Sequence, residues 1–229
     1  MGQHLKTYLL VTEKPWHDEL FSRLSQTAEA NWVRISSKEE LTENRIVALA
    51  PEKIFFPHWS YIIPEPVHKH FECIVFHMTD LPFGRGGSPL QNLIVRGHKT
   101  TVVCAVRVVR ELDAGDVYLK RPLSLEGTAT DIFNRCSLII EEMIKEIISS
   151  NLTPVPQKGN VVKFKRRMPD DSNIALLEDI EQLYDYIRML DCDGYPHAFI
   201  ETEHFRLEFR NAILNSDNTL SANVRISKK

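Results

Sequence analysis

The stretch FECIVFHMTDLPFGRGGSP, residues 71–89, puts one histidine, His77, at the end of an apolar run and ahead of a loop with an aspartate, an arginine and three glycines. A histidine so placed, with one ring nitrogen free, can act as a base near neutral pH. A lone histidine is more often satisfied by neighbouring backbone. What favours chemistry here is RELDAGD, residues 110–116, which brings carboxylates to the end of a second apolar run. If the two runs are neighbouring parallel strands, their ends lie side by side. Asp113 then holds the His77 ring in one tautomer and stabilises its protonated form, the carboxylate's part in a triad. Such a pair belongs at the carboxyl edge of an open α/β sheet, where ligands bind.

Strand and helix patterns alternate along the chain as that placement requires. TYLLVTE (7–13) is a buried-strand candidate, and Pro15 opens a helix whose Leu20, Phe21 and Leu24 share a face. KIFFPHWSYIIP (53–64) is a strand running into a bend, and ECIVFHM (72–78) is the strand that ends near His77. Ser88 and Pro89 pair as cap and first-turn proline for a helix that Gly97 closes. TTVVCAVRVV (100–109) is β-branched almost throughout, the mark of a strand covered on both faces. Thr128 and Asp131 form a capping-box variant for a helix reaching about Ser149, with Ile132, Cys136, Ile139, Met143 and Ile147 on one stripe. This alternation predicts an α/β fold with a mostly parallel, Rossmann-like sheet.

The 229 residues suit one substantial domain and an appendage. Residues 1–150 are expected to form the catalytic domain. A linker is expected over 151–171, because NLTPVPQKGN (151–160) has two prolines, a glycine and no apolar period. Residues 172–229 then read as a helix capped by Ser172, with Leu176, Ile180, Leu183, Ile187 and Leu190 in register, and a short β appendage made of HAFIETEHFRLEFRNAIL and TLSANVRIS. Phe205, Leu207 and Phe209 share one strand face there, so a homodimer through residues of about 195–226 is expected.

Composition narrows the class. Apolar residues make up 43% and charged residues 26%, ordinary values for a chain with a real core, and the net charge of −3 carries no general pull toward nucleic acid or anionic membrane. The four cysteines show no CxxC spacing and no secretory leader precedes them, so a cytoplasmic setting is expected. No apolar run approaches the ~18 residues of a membrane span. No metal is expected: His68 and His70 are badly spaced for a shared ligand face, and Asp191-Cys-Asp-Gly194 lacks the rest of a calcium loop and reads as a surface loop.

The motif order from His77 to Asp113 resembles the folate-dependent formyltransferases. His77, Leu81-Pro82, Arg85-Gly86, Ser88-Pro89-Leu90-Gln91 and Asp113-Ala114-Gly115 match that family's successive elements, and RRMPDDS (166–172) and GYPHAF (194–199) look like its segment joining catalytic and C-terminal domains. The likeness covers about residues 54–210, with an N-terminal half that looks shortened. It implies transfer of a formyl group from 10-formyltetrahydrofolate to an amine, with His77 moving protons and Asp113 supporting it. It also implies a folate site formed by Tyr61, Ile62 and Ile63 on one side and Val109, Arg110, Glu111 and Leu112 on the other. Trp59 serves there as a stacking surface or as core, and Leu81 and Arg85 complete the set, with Arg85 available to the substrate or the folate tail. The family's oxyanion-holding asparagine falls on Val75, which donates nothing; Gln91 and Thr79 are the expected substitutes, Gln91 first for its reach.

For the acceptor, residues 151–229 carry 11 Lys+Arg against 12 Asp+Glu and only two or three strands, which argues against a nucleic-acid partner. The resemblance then implies a nucleotide-linked deoxy-amino sugar of glycan biosynthesis as the acceptor. Alternatives are an aminoacyl group in peptide-synthetase initiation or a methionyl-tRNA formyltransferase-like activity, with an inactive binding module, motivated by Val75, third.

Overall fold

The computed structural model describes residues 5–27 and 29–229. In chain order the elements are β1 (Lys6–Val11), α1 (Asp18–Ser25), β2 (Ala30–Ile35), α2 (Glu43–Leu49), β3 (Lys53–Pro57), α3 (Glu65–His70), β4 (Cys73–His77), β5 (Phe83–Gly86), α4 (Pro89–Val95), β6 (Thr100–Arg107), β7 (Val117–Ser124), α5 (Ala129–Ser150), β8 (Val162–Phe164), α6 (Ile180–Arg188), β9 (Ala198–Glu201), β10 (Phe205–Leu214) and β11 (Leu220–Lys228). They fall into two compact units. Unit one comprises Met1–Arg85, Val102–Pro122 and Asn134–Lys163, and unit two Gly86–Thr101, Leu123–Phe133 and Phe164–Lys229.

Unit one is built on a six-stranded sheet in the order β2-β1-β3-β4-β6-β7. The four strands β2, β1, β3 and β4 pair parallel, so the sheet is mostly parallel as the alternating pattern predicts. All five residues of β3 are buried, which is what a central strand covered on both faces requires. Even Lys53 is buried, and its ammonium is matched by Glu72 at 2.6 Å. Leu9, Val11, Ile35, Ile46, Ile54 and Phe56 lead one apolar cluster, and Leu81, Cys104, Val106 and Val117 form another, with Val75 packed against both.

One expectation about strand direction is corrected. β6 runs antiparallel to β4, with Ile74 opposite Arg107 and His77 opposite Cys104, so β6 ends beside the start of β4 rather than beside His77. A bend and turn over residues 110–113 make up the distance. Val108 N–H donates to Cys73 O at one end of β4, and Asp113 reaches His77 at the other. Residues 110–113 bend and turn, with Ala114 N–H donating to Glu111 O, and by Asp116 the chain is again beside β6, where Asp116 O accepts from Arg107 N.

In unit two, β11-β10-β9 form an antiparallel three-stranded sheet, so HAFIETEHFRLEFRNAIL folds as two strands with a turn at 202–204 rather than as one. Thr128 and Asp131 make the reciprocal capping contacts that their spacing predicts: Asp131 Oδ2 accepts from Thr128 N at 2.9 Å, and Thr128 Oγ1 accepts from Asp131 N at 3.2 Å. The helix expected from Ser172 instead starts at Ile180, where the Asp179 side chain accepts from Gln182 N; Ser172 belongs to a preceding 3-10 turn and Leu176 is fully exposed. Asp191, expected on a surface loop, is buried because it accepts hydrogen bonds from Arg210 Nε and Asn211 N. Buried Arg188 donates to the carbonyls of Leu125 and Gly127 and pairs with Asp185 at 2.6 Å. Among the described residues, no helix is long and apolar enough to cross a membrane.

Candidate active site

His77 ends β4 with only 7% of its surface exposed. Its Nε2 lies 2.8 Å from Gly84 O. A carbonyl oxygen only accepts, so Nε2 carries the hydrogen and Nδ1 is left to take up a second proton. Asp113 Oδ2 stands 3.6 Å from Nδ1, with both side chains about nine-tenths buried. A ring protonated at both nitrogens faces an acceptor on each side, whereas a neutral ring serves only one. This is the arrangement of a group that receives a proton at Nδ1 and returns it.

Asp113 itself has a left-handed backbone, φ +53°. Two residues on, the chain closes against β6, where a Cβ on Gly115 would lie 1.8 Å from Arg107 O, so only glycine fits. The Gln157 amide nitrogen donates to Asp113 O and to Gly115 O, each at 2.8 Å. Gln157 Oε1 accepts from Arg85 Nε at 3.1 Å and Nη2 at 2.8 Å. The third guanidinium nitrogen, Nη1, lies 3.7 Å from Glu111. Arg85 is thereby directed to Gln157 and Glu111, both in unit one.

Of the remaining predicted residues, Thr79 is fully buried, and its hydroxyl donates to Gly84 O at a long 3.4 Å. Gln91 lies in unit two, where its amide donates to Met189 O at 3.2 Å. Tyr61, Ile62, Val109 and Leu112 are exposed apolar side chains, Ile62 at 78%. Arg110 and Glu111 are exposed between the last two. Ile63 and Leu81 are instead buried in the two apolar clusters. Trp59 is half-buried, edge-on to Tyr61 with ring centres 5.1 Å apart, and its indole N–H is buried without a hydrogen-bond partner. An unpaired buried donor costs about 1–3 kcal/mol.

Two groups escaped the sequence reading. His58, left-handed at φ +50° just after β3, bonds through Nδ1 to His17 Nε2 at 2.8 Å, and His17 Nδ1 bonds to Ser137 Oγ at 2.8 Å. Gln157 is the other. Neither carries a local signal: a polar residue in a proline-rich stretch looks like any loop residue until its partners are known.

A family model described as "Methionyl-tRNA formyltransferase, C-terminal domain" matches residues 169–227. The chain is similar to a solved structure, methionyl-tRNA formyltransferase from Clostridium thermocellum, at 44% identity and TM-score 0.96 over 98% of this chain and 100% of that one. It is 26% identical over 183 residues to methionyl-tRNA formyltransferase of Malacoplasma penetrans, matching 76% of this chain and 57% of that protein. The chain spans about half the length of the curated relatives it matches. A sugar N-formyltransferase from Shewanella sp. FDAARGOS_354 shares the fold at 15% identity and TM-score 0.62 over 99% of both chains. These similarities overturn the expected sugar-nucleotide acceptor, and with it the expected absence of a nucleic-acid partner. The short C-terminal part that argued for a sugar enzyme is shared with a chain of the same extent named for methionyl-tRNA.

Proposed function

The chain belongs to the formyltransferase family, and from that membership we propose that it transfers the formyl group of 10-formyltetrahydrofolate to the amino group of methionyl-tRNA. The observation that carries the acceptor is the 44% identity, over the full extent of both chains, to a methionyl-tRNA formyltransferase.

The chemistry is assigned to the residues of unit one. His77 accepts the proton released by the attacking amine at Nδ1 and delivers it to the departing folate nitrogen. Asp113, 3.6 Å away, balances the charge while the ring holds two protons. The negative charge developing on the formyl oxygen needs a donor, and Val75, packed into the apolar clusters, offers none. With the Gln91 amide turned to Met189 O, and both N–H groups of a protonated His77 ring directed at Gly84 O and Asp113, the Thr79 hydroxyl, whose bond to Gly84 O is long, takes that role. Trp59, Tyr61, Ile62, Val109 and Leu112 are assigned to the folate ring.

The test is direct. Purified protein incubated with 10-formyltetrahydrofolate and methionyl-tRNA should yield acid-stable N-formylmethionine on the tRNA, measured by mass spectrometry after ester hydrolysis. Absence of formylmethionine, with formyl transfer to a nucleotide-linked amino sugar or to no acceptor, overturns the proposal.

A further inference from the structure

We propose that Gln157 is a positioning residue for formyl transfer, acting through the backbone of Asp113. The inference rests on the formyl-transfer reading and adds to it a residue from the stretch that the sequence marks only as a linker.

The Gln157 amide orientation follows from its partners. The Arg85 guanidinium can only donate, and the carbonyls of Asp113 and Gly115 can only accept; exchanging the amide oxygen and nitrogen would set like against like on both sides. All four hydrogen-bonding valences of the amide are used, two accepted and two donated. The Asp113 loop leaves β6 at Arg107, turns over residues 110–113 and presents Asp113 with a left-handed φ of +53°.

Gln157 rests on a firm base. Two residues earlier, Val155 exchanges both backbone hydrogen bonds with Val117 at the start of β7, at 2.8 and 2.9 Å. Arg85 closes the far side, binding Gln157 Oε1 with two nitrogens and approaching Glu111 with the third. The loop from Glu111 to Gly115 is thus clasped between Arg85 and Gln157. Asp113 stands at 3.6 Å from His77, a distance that a small loop displacement would change appreciably. Catalytic geometry tolerates little of this: misplacement by ~1 Å typically costs about 10²-fold in rate. Arg85 thereby takes a scaffolding role rather than the ligand-binding one expected from its motif.

Two variants separate the parts. Gln157→Leu removes every bond at similar volume, while Gln157→Glu keeps an acceptor for Arg85 and sets a carboxylate against two carbonyls. Both should lower kcat by about 10–100-fold, the range for residues that orient a ligand or base from behind, with KM for either substrate within about threefold of wild type. In an Asp113→Asn background, Gln157→Leu should cost nothing further, since a residue acting through Asp113 has nothing left to position. The independent readout is the titration of the His77 ring, followed by nitrogen-15 NMR. Gln157→Leu should move its midpoint in the same direction as Asp113→Asn, in a protein whose thermal unfolding remains cooperative. An unchanged His77 titration in folded Gln157→Leu, or full additivity with Asp113→Asn, overturns the role of Gln157. A wild-type protein that formylates no acceptor overturns the proposed function instead, and the NMR arm still decides on Gln157. If Gln157→Leu does not fold, Gln157→Glu carries the same NMR comparison.

Discussion

Acid should destabilise this protein through a pair of rings remote in sequence, His17 and His58, and the hydrogen bonds fix the sign and the size. Trp16 Nε1 can only donate, and it lies 3.2 Å from His58 Nδ1, so that nitrogen carries no hydrogen. His17 Nε2, 2.8 Å from the same atom, must therefore donate to it, which leaves His17 Nδ1 to accept from the Ser137 hydroxyl. The His58 proton sits on Nε2, facing the Met78 sulfur at 3.1 Å. Neither ring can take a second proton without losing a hydrogen bond that it accepts. Burial, and then the charges of Lys14 and His77, push His58 down to about 3; burial, and then His58, hold His17 well below the usual histidine value. The unfolded chain binds protons near pH 6.5 that the folded chain refuses. This contribution to stability is therefore complete above about pH 6.5 and is lost as the pH falls toward 3. For His58 alone, two-state linkage between those values gives a loss of about 2 kcal/mol on going from pH 7 to pH 5, against a typical total of about 5–15 kcal/mol. His17 adds a loss of the same sign. His58→Asn is the matched control, because its amide oxygen can accept from Trp16 and His17 and asparagine tolerates the left-handed φ of +50°. Urea unfolding at pH 7, 6 and 5 should show wild type losing about 2 kcal/mol more than the variant across that range. Equal losses in the two proteins would refute the neutral assignment of His58.

Other expectations are more local. His77→Ala and Asp113→Asn should each lower turnover at least about 10²-fold, with circular dichroism and melting near wild type; near-normal turnover in both would remove the proton-transfer assignment. Gly115→Ala forces a Cβ to within 1.8 Å of Arg107 O, so the loop must open, costing roughly 1–3 kcal/mol in urea unfolding and a matching collapse in turnover. Burial pushes the Cys73 and Cys104 thiols up to about 12 and about 11, and Cys136 is raised as well by burial alone. With all four cysteines buried, the native protein at pH 8 should react with a thiol reagent far more slowly than the urea-unfolded chain, in which all four should be titrated promptly. Rapid native labelling would contradict that burial.

The acceptor shows where sequence counting misleads. Eleven basic against twelve acidic residues in 151–229 is a sum over a segment, and binding depends on where charges gather on a surface, which a sum does not record. The few strands after residue 151 likewise say little by themselves, since the likeness to a methionyl-tRNA formyltransferase covers 98% of this chain and 100% of that one.

What the sequence determined by itself was whatever depends on near neighbours. The buried run of β3, the β-branched run of β6, the Thr128–Asp131 capping pair and the position of His77 at a strand end are set by residues within a few places of one another, where covalent geometry leaves few choices. The pairing of His77 with Asp113 was legible as an association, but the expected route to it, two parallel strands ending together, is not the one the chain takes. Only the tertiary structure decided that β6 runs antiparallel and that a turn over residues 110–113 brings Asp113 to His77. It alone joined Gln157 to Asp113 across 44 positions and His17 to Ser137 across 120. A polar side chain in a loop has no periodicity to betray its partner. Its hydrogen bonds are chosen by where distant segments come to rest once the apolar clusters of the sheet have packed.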